Sequence, residues 1–199
     1  MNKLRAVLIA VIGLAPASSF AAGANITGTV GFRQLSNDWE PTETHAMGGV
    51  LADFSMWDAP LHIELGVRDS GDSSTRDGDR YKLNVADFMA GVAVIPDYGY
   101  VRPYVSFGLA AVEAEATLNG DRESDNSVGW YIGGGALWRL TPNFDLGVDG
   151  RYIGGTDVFN EADVNNFTVA LRVGYGWDLH RRRYNDDDYP SRRRERRRY

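Results

Sequence analysis

The chain has 199 residues, no Cys, a formal net charge of −6 and a mean hydropathy of −0.33. Its only uninterrupted apolar segment is short and N-terminal, which excludes a polytopic helical membrane protein because each spanning helix needs roughly 20 consecutive apolar residues. The lack of Cys excludes disulfides and Cys-ligated metals. The 12% of aromatic residues and the 23 Gly argue against a disordered polymer and suit sheets and tight turns.

The first 21 residues have the pattern of a secretory signal peptide. Two basic residues precede an apolar segment at 6–15, and Ser19 and Ala21 are the small residues that a signal peptidase reads. We predict cleavage after Ala21, with Ala24 as the second choice. The apolar segment is about half as long as a spanning helix requires, which disfavours a retained anchor. We therefore expect an exported protein with no nucleic-acid partner.

Behind the signal, apolar and polar residues alternate with a period of two, which is typical of strands with one apolar face. Regular alternation begins at six positions: Ile26, Leu61, Val101, Val128, Phe144 and Phe167. Two further strands, around 45–57 and 80–95, are less regular. In the second of these the apolar parity changes midway, so we predict a β-bulge near Ala86 and Asp87. The alternation thus predicts eight strands.

The connections between these strands are of two alternating kinds. Short turns rich in Pro, Asp, Gly and Asn are predicted at 57–60, 96–100 and 141–143. Longer polar loops are predicted at 35–44, 69–79, 119–126 and 154–165. Eight antiparallel strands with tight turns at one end and long loops at the other predict an all-β fold, an up-and-down barrel formed by residues 22–179.

Three features predict that the apolar face points to lipid, as in a transmembrane barrel and unlike a soluble lipocalin-like barrel. The polar face is mostly Gly, Ala, Ser and Thr, which suits a narrow lumen. Lys, the usual residue of solvated sheets, occurs once behind the signal, at Lys82. Aromatic residues at the strand ends predict two girdles around an apolar band about 25 Å tall. The girdles are assigned to Trp57, Trp130, Trp138, Tyr152, Tyr175 and Trp177, with Tyr98, Tyr100 and Phe144 on the turn side and Phe32, Tyr81 and Phe167 toward the loops.

A signal peptide, eight amphipathic strands and the segment Val-Gly-Tyr-Gly-Trp at 173–177 resemble the small outer-membrane β-barrel proteins of the OmpA and OmpX type. The resemblance covers about residues 25–179. It implies a location in the cell outer membrane and contact with its lipids and lipopolysaccharide. It also implies insertion by the barrel-insertion machinery through the 167–177 strand, whose Tyr175 and Trp177 match the terminal aromatic signal of the group.

Residues 180–199 form a separate, Arg-rich segment. They hold nine Arg and four carboxylates, a net charge of +5, whereas residues 22–179 hold 10 basic and 23 acidic residues, a net charge of −13. The segment is too short and too charged to form a core, so we predict a disordered tail. An even number of strands places it in the periplasm. Because Arg clusters bind anionic surfaces, the tail is expected to contact anionic phospholipid or the cell wall.

Function has to be sought in sites, since this fold hosts several activities. Eight strands leave an interior just wide enough for side chains, and unpaired charges removed from water are costly. We therefore predict a lumen plugged by ion pairs, with no cofactor, and a structural or surface-interaction role. A narrow ion-conducting pore is the alternative. The residues that parity places inside are Arg33, Asp53, Glu64, Arg68, Lys82, Arg102, Arg139, Asp145, Asp149, Arg151 and Arg172.

Two further sites are weighed at the loop side. About thirteen loop carboxylates offer oxygen ligands to a divalent cation, but no loop has the D-x-[DN]-x-[DN]-G pattern, so no metal site is predicted. A lipid-modifying enzyme needs a Ser and a His near the outer leaflet. Only His45 is expected there, with Ser36, Asp38 and Thr42 close in sequence. We predict no enzyme and keep a rim enzyme at His45 as the third alternative.

Overall fold

The computed structural model describes residues 21–36, 43–56, 59–76, 79–96, 99–119, 121–158 and 162–178. Its strands are, in chain order, β1 (Ala21–Leu35), β2 (Thr44–Met56), β3 (Leu61–Arg76), β4 (Asp79–Val94), β5 (Val101–Leu118), β6 (Asp121–Thr141), β7 (Phe144–Gly154), β8 (Asp157–Val158), β9 (Ala162–Asp163) and β10 (Asn166–Asp178). All except the β8–β9 hairpin form one closed antiparallel barrel of eight strands, so the predicted fold is confirmed. Residues 1–20 of the predicted signal peptide and the Arg-rich tail lie outside the described residues.

No helix of sufficient length and apolarity to cross a membrane occurs in the described ranges.

The strands of the barrel are strongly staggered. Following Cα partners from Val30 through β2, β3, β4 and β5 leads to Asn126 in β6. Following them through β10 and β7 leads to Ala136 in the same strand. This ten-residue offset is the shear of the barrel. With a rise of about 3.3 Å per residue and a strand spacing of about 4.8 Å, it corresponds to a strand tilt of about 41°, within the usual range for closed barrels.

The apolar residues of the alternating patterns lie on the outside of the barrel. Val30 and Leu109 are each 64% exposed and Leu171 is 57% exposed, whereas their sequence neighbours point inward. Toward the loop ends, Trp130 and Tyr152 contact each other with ring centroids 5.5 Å apart. Trp57 and Tyr98 lie outside the described residues, and Trp138 and Phe144 are half-buried. The other girdle residues that face outward are exposed: Phe32, Tyr100, Phe167, Tyr175 and Trp177.

The predicted β-bulge in β4 is wrong. The register of β4 with β3 and with β5 is continuous through Ala86 and Asp87. The apolar parity changes because Leu83 and Val85 point into the barrel, where they are 2% and 0% exposed. Tyr81 shares this parity, so it faces inward and does not join the outer girdle.

Two of the four predicted loops are also wrong, because the segments 69–79 and 119–126 are mostly strand. The β3–β4 ladder continues to the pair Arg76 and Asp79, and the β5–β6 ladder continues to Leu118 and Asp121. Each ladder therefore leaves only two residues between its paired strands, 77–78 and 119–120. Asn119 has φ +51°, as the first turn residue of a hairpin of this kind requires.

These longer strands form a sheet that continues past the rest of the barrel on the loop side. β2 pairs with β3 only up to Gly71, and β7 pairs with β6 only from Trp130. We call the part beyond these pairs the extended sheet. It consists of residues 72–76, 79–83, 110–118 and 121–129.

Candidate functional site

Inside the barrel, Asp87 binds two arginines from two different strands. Its Oδ2 forms an ion pair with Arg33, and the same oxygen lies 3.3 Å from Nη2 of Arg68. Arg33 also donates to the Val85 carbonyl at 3.1 Å, and Arg68 donates to the Thr168 hydroxyl at 2.8 Å. Asp87 and both guanidinium groups are at most 2% exposed, so this cluster is removed from bulk water.

A second cluster begins with Arg151, which binds Glu64 with both terminal nitrogens at 2.7 and 3.2 Å. Arg151 also donates to Asp149 at 3.3 Å and stacks over the ring of Tyr131, with 4.8 Å between its Cζ and the ring centroid. The Tyr131 hydroxyl donates to Glu64 at 3.0 Å. Bidentate geometry and a stacked ring fix the Arg151 side chain across the lumen.

Arg172 extends this second cluster toward the turn side. Its Nη2 donates to Asp53 at 3.2 Å, and its Nη1 lies 3.6 Å from Asp149. The guanidinium lies over Tyr104, 4.9 Å from the ring centroid, and the Tyr104 hydroxyl donates to Asp149. Asp149 therefore joins the two arginines of this cluster.

The two clusters together form a buried network with no net charge. Its members are four arginines and four carboxylates, each at most 3% exposed: Arg33, Arg68, Arg151, Arg172, Asp53, Glu64, Asp87 and Asp149. The cluster around Asp87 has one excess positive charge and the other cluster has one excess negative charge, so the two attract each other. Burial of charge is tolerated only with such pairing and hydrogen bonding.

A mostly apolar layer, which also contains the buried side chains of Ser70 and Asn166, lies directly on the loop side of this network. In β1, β4 and β7 the next inward residue beyond a network member is apolar: Leu35 follows Arg33, Val85 precedes Asp87 and Ile153 follows Arg151. These side chains come from different sides of the barrel and are 0–3% exposed. The layer is completed by Leu83, Val112, Ala114 and Val164.

The turn-side mouth of the lumen is more open. Arg102 binds Asp145 at 2.6 Å, and the Asn25 amide donates to the same carboxylate at 3.3 Å. The mouth is an open cavity of about 100 Å³ whose lining includes His62 and Arg139. The charged side chains on this side are thus less enclosed than the network.

The predicted lumen residues divide into three groups by position. Seven belong to the buried network, and Arg102, Arg139 and Asp145 lie at the mouth. The prediction for Lys82 is wrong, because its side chain is exposed on the outer face of β4. The predicted bulge explains both errors. It gave Lys82 an inward parity and left Asp87 without one. Without the bulge, Asp87 has the inward parity of Leu83 and Val85.

Comparison with known proteins places this architecture in a family. The model of the outer membrane protein beta-barrel domain matches residues 4–176. The chain belongs to the outer membrane protein beta-barrel family. The predicted resemblance and the location in the cell outer membrane are thereby confirmed. A curated relative, the 25 kDa outer-membrane immunogenic protein of Brucella melitensis, is 28% identical over 185 residues, which cover 83% of each chain.

Two solved structures of bacterial proteins have the same fold. Ail, the attachment invasion locus protein of Yersinia pestis, crystallised with the heparin analogue sucrose octasulfate, matches with a TM-score of 0.56 and 15% identity over 78% of this chain and 97% of Ail. Neisserial surface protein A matches with a TM-score of 0.56 and 18% identity over 77% of this chain and 95% of that protein. At such identities the likeness concerns the fold alone.

Family membership orients the barrel of this outer-membrane protein. Barrels of the outer membrane have short periplasmic turns and longer loops at the cell exterior. We therefore expect the mouth with Arg102 and Asp145 to open to the periplasm and the extended sheet to stand outside the cell. The apolar layer lies between this sheet and the ion-pair network.

His45, the residue of the enzyme alternative, points into this lumen. Its ring is 0% exposed, and its Nδ1 lies 3.2 Å from the Ser70 hydroxyl, which itself donates to the Val85 carbonyl at 3.3 Å. The expectation of a histidine at the outer rim is therefore wrong. Across the described residues, no group of three or more His, Cys, Asp or Glu side chains is arranged to hold a metal ion.

Proposed function

We propose that this outer-membrane barrel is not a channel and serves a structural or surface-interaction role. The observation that carries the proposal is the filling of the lumen at two successive levels. The neutral ion-pair network fills the middle, and the apolar layer fills the exterior side. A solute that enters the periplasmic mouth meets both.

The ion-pair network resists opening because its charges are buried and paired with one another. Removal of one partner from a buried pair costs about 3–5 kcal/mol, since the remaining charge stays buried. A pore that opens by rearrangement has to unpair several of these contacts, among them Arg151 with Glu64 and Arg172 with Asp53. This cost favours a plugged lumen over the narrow ion-conducting pore.

The apolar layer adds a barrier of a different kind. Hydrophobic constrictions block ions by excluding water even where space remains. Leu35 and Ile153 converge with Val85 from separate strands, and none of them offers a polar atom to a passing ion. The layer closes the lumen even if the ion pairs beneath it rearrange.

The surface-interaction part of the proposal is supported by the extended sheet. Four strands project past the rim, and their outer face beyond the apolar band is polar, with Lys82, Glu115 and Arg122 among its residues. Arg122 binds Glu115 across this face. A rigid, polar sheet outside the cell is suited to contact other molecules.

The burial of His45 weighs against the third alternative, a lipid-modifying enzyme. A catalytic histidine must reach the substrate, whereas this ring lies inside the barrel, away from the lipid of the outer leaflet. We therefore propose a non-enzymatic role.

Planar-bilayer recording of the full, refolded chain tests the proposal. We expect the wild type to remain closed and small conducting steps to appear only when both levels are weakened, in Val85→Ser/Ile153→Ser made in a Glu64→Ala background that its control shares. Val105→Ser/Ile132→Ser is the matched control, because these side chains face lipid and are 61% and 55% exposed. Reproducible wild-type openings that disappear in Arg102→Ala or Glu64→Ala would instead establish the pore.

A further inference from the structure

The turn-side mouth of the lumen contains buried acceptor atoms that lack donors. Asn25 of β1 and Asp53 of β2 are Cα partners, and both line the cavity of about 100 Å³. Asn25 donates to Asp145 through Nδ2, and Oδ2 of Asp53 accepts from Arg172. The Oδ1 atom of each residue is buried and has no hydrogen-bond partner among the described residues. Asp53 is only 2% exposed, so bulk water does not compensate its carboxylate.

His62 adds a third atom of this kind. It lies on β3, where its Cα partner is Ser55 of β2, and it lines the same cavity. Its Nδ1 is buried and forms no hydrogen bond within the described part of the chain. With the ring proton on Nε2, this nitrogen is an acceptor. Three neighbouring strands thus present three acceptors, which is the number of N–H donors of an ammonium group.

The opposite wall of the mouth carries donors. In the strand order of the barrel, β5 lies across from β1 and β6 lies across from β2. These strands contribute Arg102 and Arg139 to the lining of the cavity. Arg102 binds Asp145 through Nη2, but its Nε is buried and has no partner in the described ranges. Guanidinium groups bind carboxylates with well-defined geometry. Donors and acceptors therefore line opposite sides of one small space.

The charge and the volume of the cavity define the kind of ligand. The charged residues of the lining are two cations and two anions, Arg102, Arg139, Asp53 and Asp145, so they have no net charge. A lone anion or cation would be buried here without a compensating charge, which is costly. A ligand that carries one charge of each sign avoids this cost. The volume corresponds to about three water molecules, so the part of the ligand that enters is small.

We propose that the mouth binds the zwitterionic group of an α-amino acid. The ammonium group lies at Asn25, Asp53 and His62, and the carboxylate lies at Arg102 and Arg139. The ion-pair network closes the inner end of the site, so the ligand enters and leaves on the turn side. The inference does not depend on the proposed function, because the site uses neither the apolar layer nor the extended sheet.

Titration of the full, refolded chain in nanodiscs with glycine tests the proposal. Amide NMR signals of Gly23, Ala24 and Gly176, which line the cavity, report binding. We expect these signals to shift saturably with glycine. Glycinamide lacks the carboxylate and N-acetylglycine lacks the ammonium group. Each should bind at least about tenfold more weakly than glycine, because each leaves buried polar groups of the site unpaired.

A further ligand distinguishes two sources of the zwitterionic group. Nε-acetyl-lysine carries this group at the end of a longer chain, as a cell-wall peptide can. Binding as tight as that of glycine would assign the site to a group borne on a larger molecule. Binding at least about tenfold weaker would assign it to a small free amino acid.

Two variants separate the two halves of the site. His62→Leu removes an acceptor of the ammonium group, so it should reduce the preference for glycine over N-acetylglycine and keep the preference over glycinamide. Arg139→Met should have the reverse effect. Arg122→Met is the control, because it removes the same charge from the extended sheet and should change neither preference. Heat-modifiable gel mobility verifies that each variant is folded.

The proposal is overturned by three results: no saturable shift with glycine, equal binding of glycine and its two blocked forms, or equal effects of His62→Leu, Arg139→Met and Arg122→Met on both preferences. The second result would show that the mouth holds solvent and responds to solutes in general. The closed lumen is tested separately by conductance, so failure of amino-acid binding leaves the proposed function intact.

Discussion

Arg68 and Asp87 are Cα partners in the β3–β4 ladder, and their side chains meet inside the barrel with 3.3 Å between Nη2 and Oδ2. The same carboxylate oxygen binds Arg33 of β1. Asp87 thus neutralises charge from two strands, one beside it and one across the lumen.

Asp87→Asn should be among the most destabilising polar substitutions in the barrel. It removes the carboxylate from two buried guanidinium groups, and loss of one partner of a buried pair costs about 3–5 kcal/mol. The measurement is the free energy of unfolding in lipid vesicles, followed by tryptophan fluorescence. Asp69→Asn is the control, because Asp69 is exposed on the outer face of β3 and should change stability by less than about 0.5 kcal/mol. Equal effects of the two substitutions would contradict the burial of the Asp87 cluster.

Arg151 and Glu64 should show strong energetic coupling. Arg151→Met leaves Glu64 buried without its bidentate partner, and Glu64→Leu leaves Arg151 with Asp149 alone. The double variant removes both charges, so it should be less destabilised than the sum of the single variants. A coupling energy of about 1–3 kcal/mol is expected in a double-mutant cycle. Additive effects would show that the pair contributes nothing specific.

The outward faces should respond to charge according to their depth in the membrane. Leu171 is 57% exposed near the middle of β10, and Leu171→Arg should cost about 2–4 kcal/mol because it places a cation at the bilayer centre. Gln34→Arg, near the loop end of β1, should cost no more than about 1 kcal/mol. Vesicle unfolding measures both. A smaller effect at position 171 than at position 34 would contradict this orientation of the barrel.

The turn at Asn119 should govern the order of the extended sheet. Asn119→Gly keeps a residue that accepts φ +51° but loses the hydrogen bond to Asp79, whereas Asn119→Val places a β-branched residue in the left-handed region. We expect faster amide hydrogen exchange across 112–127 in both variants and the larger increase for Val. Exchange in β10 should not change. Unaltered exchange in the Val variant would contradict a tight turn here.

Removal of residues 180–199 should weaken contact with anionic surfaces on the periplasmic side. The segment carries a net charge of +5, and each basic residue near an anionic surface contributes about 1 kcal/mol, less as salt rises. Co-sedimentation with anionic vesicles and with cell-wall sacculi measures the contact at low and high salt. The full chain and the truncated chain should differ at low salt and converge at high salt. Identical sedimentation at low salt would refute the proposed role of the tail.

The sequence predicted most of the fold because alternation with period two records which face of a strand is apolar. The prediction failed at β4 because the lumen is apolar there. Leu83 and Val85 face inward, although the pattern predicts that apolar residues face lipid. As a consequence, Lys82 was wrongly assigned to the lumen and Asp87 was not assigned to it. The sequence does contain a signal for short connections at these two places. Asn-Gly at 119–120 and Asp-Gly at 77–78 are the residue pairs that most strongly predict a tight hairpin.

The partners within the lumen could not be predicted in the same way. Inward parity identifies which charges face the interior but not which ones meet, because that depends on the stagger of all eight strands. Arg151 and Glu64, for example, are 87 residues apart in the chain. Their contact follows from barrel closure, and no local pattern records it.

The ladder between β1 and β10 joins Gly23 to Asp178, almost the two ends of the barrel sequence. Pairings so distant in the chain form late, because the entropy of closing the intervening loop has to be overcome first. β10 also supplies Arg172 to Asp53 and Thr168 to Arg68. Docking of the final strand therefore completes the backbone hydrogen bonding of the wall together with part of the charge compensation of its interior.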